Sequence, residues 1–197
     1  LNLLWNSYKF FVNSASVDNW QPTNELPPQS TKLDQWILIR LEQTLQTIEK
    51  NLESYQIPSA VSAIHPFLDD LSTWYIRRSR DRVGLSATNK ADKEYFYTTS
   101  YYLFLNFFKV IAPITPFISE KLYRHLTDDE SIHLTDWPSA NQREGNDGLL
   151  DQMKLVREIC SLGHAQRKEK DIPVRQPLSN VTITKADQLK NQEDLLQ

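Results

Sequence analysis

A chain of 197 residues can hold one domain, or one domain and part of another. Hydrophobic residues at 40% suffice for a buried core, and only four glycines argue against a loop-rich β-sandwich or barrel. A formal net charge of −3 excludes a global electrostatic pull on nucleic acid, so any such contact must come from local patches.

Residues 1–13 begin in mid-pattern, with Leu4, Tyr8, Phe11 and Val12 on one helical stripe and no start signal. They read as the end of a helix that starts before Leu1, which is itself no initiator methionine; with no secretory leader ahead of it, a soluble piece of a longer protein is expected. Pro22, Pro27 and Pro28 keep residues 20–31 out of helix. Thr31 followed three residues later by Asp34 resembles a capping box, which predicts a helix to about Tyr55. Its inward positions are Leu33, Trp36, Ile37, Leu41, Leu45, Ile48, Leu52 and Tyr55.

Pro58 suits the first turn of the next helix, whose stripe is Val61, Ile64, Leu68, Leu71 and Tyr75. Pro66 lies inside it and predicts a kink, because the stripe continues in phase across it. At about 100° per residue, Asp70, Thr73, Arg77, Arg80 and Asp81 fall on the solvent side, and Trp74 at the border. Arg78 and Arg82 fall nearer the apolar stripe, and Gly84 is the expected stop.

Helix four is expected over about 91–112. Eight aromatics lie between Tyr95 and Phe108, too many for one exposed stripe, so core packing is favoured over stacking on bases. This is also the longest apolar run, yet Asn106 and Lys109 interrupt it and it is too short to span a bilayer. Pro113 stops it, and Thr115 and Pro116 read as the N-cap and first residue of a helix ending near Leu126. Residues 127–145 are acidic and irregular, tacked down by Ile132, Leu134 and Trp137. A last long helix is expected from Leu149 to Lys168 with Leu150, Met153, Val156, Ile159, Cys160 and Gly163 inward. Beyond a basic, proline-broken segment, Val181 and Ile183 read as one strand and 185–197 as a helix, the start of a truncated α/β subdomain.

Charge is segregated along the chain. Residues 77–82 hold four arginines against Asp81, whereas residues 127–151 hold seven acids against Arg143 alone. The arginines could be a solvated last turn complementing the helix dipole, with Arg77 and Asp81 as an i, i+4 pair. The sharper reading is a phosphate- or base-contacting patch, since guanidinium forks match phosphate oxygens, but these residues by themselves favour the solvated turn. Cys160 is the only cysteine, so no internal disulfide is possible, and the scattered histidines give no metal-ligand spacing. Asp69 and Asp70 are adjacent and diverge on a helix, which makes them a poor carboxylate pair; no Ser-His-Asp or Cys-His arrangement and no glycine-rich phosphate loop is present.

Six segments, in order, carry a resemblance. They are LWNSYKFFV at 4–12, LDQWILIRL at 33–41, FLDDLSTWYIRRSRDR at 67–82, IAPITPFISEKLY at 111–123, SIHLTDWP at 131–138 and VRQPL at 174–178. Together they resemble the anticodon-binding domain of isoleucyl-tRNA synthetases, class I aminoacyl-tRNA synthetases. Valyl, leucyl and methionyl relatives share the bundle, but WYIRRSR is most similar to the isoleucine enzymes. The resemblance implies an all-α antiparallel helix bundle over residues 1–145, then a long helix, basic loop and short strand/helix extension over 146–197. It implies binding of tRNA(Ile) in the cytoplasm, in company with a catalytic portion of the same protein. The family's HIGH and KMSKS motifs do not occur here, so this fragment is expected to be no enzyme and to hold no cofactor, ATP with Mg belonging to the whole ligase. The residues proposed to meet RNA are Trp74, Arg77 and Arg80, then Arg78 and Arg82, which could instead be buried structural pairs. Arg167, Lys168, Lys170 and Arg175 form a second basic segment, open to the same two readings. The alternatives are the valyl paralogue and a helical protein-interaction module without an RNA role.

Overall fold

The computed structural model describes residues 1–22, 31–84, 86–138, 147–180 and 182. The chain divides into two compact units, residues 1–142 and 143–197. The described residues form helices and no sheet, as an all-α bundle requires.

In the first unit the hub is α6 (Lys90–Ile111), against which α1 (Asn2–Val17), α2 (Lys32–Glu53) and α7 (Pro116–Leu126) all pack. The reason is compositional: Phe96, Tyr97, Phe104, Phe107 and Phe108 of α6 are all buried, so the helix is apolar on several sides. Each such ring is worth about 1.5–3 kcal/mol on burial, which decides for core packing over stacking on a ligand. The sense of α1 relative to α6 follows from its rings and hydrogen bonds. Tyr8 meets Phe104 and Phe108 edge-on or tilted, whereas Tyr97 donates to the Ser14 carbonyl, so the two helices are antiparallel. From α6 the chain turns at Pro113 into α7, which runs back so that Tyr123 lies under the Lys109 ammonium.

The helix ends follow the sequence signals. The Thr31 hydroxyl accepts from the Asp34 amide at 3.1 Å and caps α2, and Pro116 opens α7 after Thr115. Asn89, a cap not anticipated, accepts from the Asp92 amide and starts α6. With few glycines available, α1 and α2 are closed by Asn19 and Tyr55 at φ 52° and 56°, each inside a paired 6→1 and 5→2 set of backbone bonds. Tyr55 therefore points out, 87% exposed, and is not an inward residue of α2; Leu33 and Leu52 are only half-buried.

Between α2 and α6 runs a helical stretch of four pieces: α3 (Ile57–Ser62), α4 (Ile64–Asp69), a wide π-type segment (Asp70–Ile76) and α5 (Arg77–Ser79). Pro66 does disturb it, and the disturbance sits at Ala63, where the lost proline donor and the ring's clash with the preceding turn act. Ala63 keeps helical angles (φ −71°, ψ −19°), so the chain is interrupted there and not broken. The buried positions are Ala60, Phe67, Leu68, Asp70, Leu71, Tyr75, Ile76, Ser79 and Val83, while Val61 is exposed and Ile64 half-buried. Residues 67, 71, 75, 79 and 83 lie at steps of four, a spacing that drifts about 40° per step on an α-helix. The wide turns over 70–76 absorb that drift and keep all five inward. The regular helix stops at Ser79, short of Gly84.

In the acidic loop only Ile132 of the three expected anchors is buried; Leu134 is 73% exposed and Trp137 37%. The Glu120 carboxylate holds the loop instead, accepting from the Ile132 amide and the Ser131 hydroxyl. The second unit contains α8 (Asp147–Glu169), in which Leu149, Met153 and Val156 are buried, Ile159 and Cys160 half-buried and Gly163 exposed. The strand expected at Val181 and Ile183 and the helix expected over 185–197 lie outside the described residues.

Candidate nucleic-acid interface

The arginine segment begins where the wide turns end. Arg77, Arg78 and Arg80 are exposed, and the Arg78 guanidinium lies 5.4 Å from the centre of the half-buried Trp74 ring. Such a cation over an indole face is held by the ring quadrupole and by stacking. Among the described residues neither Arg77 nor Arg80 has a carboxylate partner, and the possible Arg77–Asp81 pair does not form. The four residues Trp74, Arg77, Arg78 and Arg80 thus share one accessible segment.

Arg82 is different. Its Nη1 and Nη2 donate to the two oxygens of Asp34, both at 2.8 Å, and its Nε donates to Asp92 at 2.9 Å. The Arg82 side chain is 13% exposed and that of Asp34 1%. Of the candidates on this segment it is the one turned inward; Arg78, read beside the same apolar stripe, is exposed, and what holds Arg82 in is its pair of carboxylates. Asp34 is then saturated by the Thr31 and Tyr75 hydroxyls, at 2.7 and 2.8 Å. This clasp ties the N-termini of α2 and α6 to the arginine segment.

The electrostatics follow from that geometry. Burial would raise the Asp34 carboxyl, but the Arg82 hydrogen bonds and charge, with Thr31 and Tyr75, hold it below the usual 3.8. Burial pushes the Tyr75 hydroxyl well above 10, and the Asp34 charge adds to it. Burial works against the Arg82 cation too, yet Asp34 and Asp92 raise it further, so the pair stays ionised at all ordinary pH.

Sequence reasoning also placed Asp70 in solvent. It is 6% exposed and accepts from the Arg40 Nε at 2.8 Å. The wide turn shifts Asp70 from the outer face, and Arg40, thirty residues earlier in LDQWILIRL, supplies the charge that burial demands. Asp34, Asp92 and Arg40 were missed as partners; the capping signals at Thr31 and Asn89 could have pointed to the first two.

In the second unit the basic segment is organised by α8's own end. Asp171 sits at φ 52°, with its amide on the Lys168 carbonyl and the Ile172 amide on that of Arg167. The Arg167 Nη1 donates to the carbonyls of Pro173 and Gln176, both at 2.9 Å. Lys168, Lys170 and Arg175 are exposed. No group of His, Cys, Asp and Glu able to hold a metal is assembled among the described residues, and none of their helices is long and apolar enough to cross a membrane.

Comparison with known proteins gives one consistent answer. Residues 34–183 match the family model described as the anticodon-binding domain of tRNA ligase. Among curated proteins, an isoleucine–tRNA ligase of Protochlamydia amoebophila is 35% identical over 98% of this chain and 19% of its own length. One from Dehalococcoides mccartyi is 38% identical over 93% of the chain and 19% of its own length, and one from Bacillus thuringiensis 34% over 93% and 18%. The chain therefore spans about a fifth of the length of the curated relatives it matches.

Proposed function

The chain belongs to the family of anticodon-binding domains of tRNA ligases, and on that premise we propose that it holds the anticodon region of tRNA(Ile). The observation that carries the reading is the group of exposed, unneutralised arginines Arg77 and Arg80 beside Arg78 and Trp74. Phosphate contacts from guanidinium groups position an RNA, and an aromatic face accepts an unstacked base, so the segment has both parts of single-strand recognition. The isoleucine specificity is supported by the three relatives named above, each an isoleucine–tRNA ligase.

In this reading the fragment carries no chemistry of its own. Activation of isoleucine with ATP and Mg, and transfer to tRNA, belong to the catalytic portion of the same ligase, in the cytoplasm. The chain's part is to bind and orient. Arg82 drops out as an RNA contact because its donors are committed to Asp34 and Asp92.

The test is a salt titration of tRNA(Ile) binding with Arg77→Ala and Arg80→Ala. Each variant should weaken binding and lower the salt slope by about one unit, with melting nearly unchanged. Trp74→Ala should cost roughly 1–3 kcal/mol of binding if a base stacks there. Wild-type affinity and slope in both arginine variants would remove this segment from the RNA surface.

A further inference from the structure

HAQRKEKDIPVRQ, residues 164–176, is too polar to be held by a core, yet backbone hydrogen bonds fix its turns. Helix α8 could have frayed after Glu169. Instead Asp171 takes the left-handed conformation, and the two cap bonds to Arg167 and Lys168 turn the chain sharply. Pro173 then prevents any return to helix, and the Gln176 amide closes a turn on the Pro173 carbonyl at 3.0 Å. One side chain bridges the helix and this turn. Arg167, half-exposed, spans from the last helical turn to two carbonyls on either side of Arg175.

The acceptors matter as much as the donor. A carboxylate partner would cancel the Arg167 charge, but carbonyls accept its protons and leave the charge in place. Four cations therefore stand close together in sequence, 167 and 168 on the last helical turn and 170 and 175 on the short, closed loop after it, with Glu169 and Asp171 as the acids among them. An isolated loop of this composition would lose conformational entropy when it met a ligand; a closed one has already lost it.

We propose that Arg167 is a positioning residue: bound to the carbonyls of Pro173 and Gln176, it fixes the 170–176 loop so that Lys170 and Arg175 face an RNA phosphate backbone together with Lys168 of the last helical turn. The proposal deepens the tRNA-binding reading and rests on it. It also changes the part that sequence assigns to Arg167, from a phosphate contact to the brace behind two contacts, Lys170 and Arg175. The ligand class is a polyanion with regularly spaced phosphates, here the tRNA, because three separated cations suit a backbone better than a single anion.

The experiment compares Arg167→Met, Arg175→Met, Lys170→Met and the Arg167→Met/Arg175→Met double variant in the full chain. The readouts are tRNA(Ile) salt titrations and amide exchange at Gln176. A brace predicts that Arg167→Met lowers the salt slope by about two units, weakens binding on the order of tenfold, and speeds Gln176 exchange. It also predicts that the double variant binds no worse than Arg167→Met alone, since Arg175 acts through Arg167. Additive losses of about one slope unit each, with Gln176 exchange unchanged, would make Arg167 an independent phosphate contact and overturn the proposal. Wild-type slopes for both Lys170→Met and Arg175→Met would also overturn it, by taking this loop off the RNA surface. That last result would leave the reading at Arg77 and Arg80 to its own test.

Discussion

Arg82 and Arg167 each stand near a helix end, in runs that look alike in sequence, and the two have opposite partners. Arg82 faces two carboxylates and a buried tyrosine, so its charge is cancelled and its energy goes into joining three elements. Arg167 faces two carbonyls, so it organises a loop while remaining a cation. What differs is the acceptor and not the arginine. A count of basic residues therefore overstates the positive field at the first site and describes the second correctly.

The contrast can be broken most forcefully at Asp34. Asp34→Ala leaves the Arg82 guanidinium and the Tyr75 hydroxyl inside with one partner fewer, and should cost about 3–5 kcal/mol. Arg167→Met should cost about 1 kcal/mol or less, because its hydrogen bonds compete with water. Denaturant melts of the two variants measure both; equal losses would mean that the Asp34 clasp is no more than a surface contact.

Acid sharpens the same contrast. The folded Asp34 carboxyl titrates below its unfolded value of 3.8, so the unfolded chain takes up the proton first. The stabilisation is complete well above pH 3.8 and is lost as pH falls through the lower, folded value. In Asp34→Asn the fall in stability between about pH 5 and 2 should be visibly shallower than in the wild-type chain. An identical acid limb would assign that limb to other carboxylates, such as Asp18, which hydrogen bonds from Tyr97 and Lys93 also hold low. The carbonyl-bound Arg167 has no counterpart to this loss, since amide oxygens do not titrate in that range.

The smallest expected effect concerns Asp171. Replacing it with glycine relieves a left-handed residue worth about 1–2 kcal/mol but adds unfolded-state freedom of about 0.5–1 kcal/mol. Asp171→Gly should therefore stabilise the end of α8 by about 1 kcal/mol or less, read as slower amide exchange at Ile172. A faster exchange would show that the aspartate side chain itself supports the cap.

How far the sequence reached is clear from particular residues. Thr31, Pro116 and the crowded aromatics of α6 carry their signals within a few positions, so α2, α7 and the buried hub were legible. The inward turn of Arg82 was not, because its main partner lies 48 positions earlier and is itself read as a helix cap. Asp70 misled for a different reason: a fixed 100° step assumes a uniform helix, and the wide turns begin at that residue. Tyr55, aromatic and in phase, was assigned inward because nothing local announces that a large residue will serve where glycine is usual. Arg77 and Arg80 were legible as exposed because charge on an outer face needs no partner to be predicted, whereas Arg78, read beside the apolar stripe, was not. The Arg167 bridge was missed because its acceptors are backbone carbonyls, which every residue carries.

The wide turns at 70–76 also set how the arginine segment tolerates changes in length. They have the form of one surplus residue stored inside a helix. Deleting a single solvent-facing residue there, Thr73, would let the stretch relax to an ordinary helix without opening a loop. A stored residue is one the helix already absorbs, so everything downstream would keep its facing once it is removed. Arg77 and Arg80 would stay outward, and Arg82 would stay opposite Asp34. A one-codon deletion here would thus spare both the exposed cations and the clasp beneath them, whereas the same deletion in an ordinary helix would turn all that follows by about 100°.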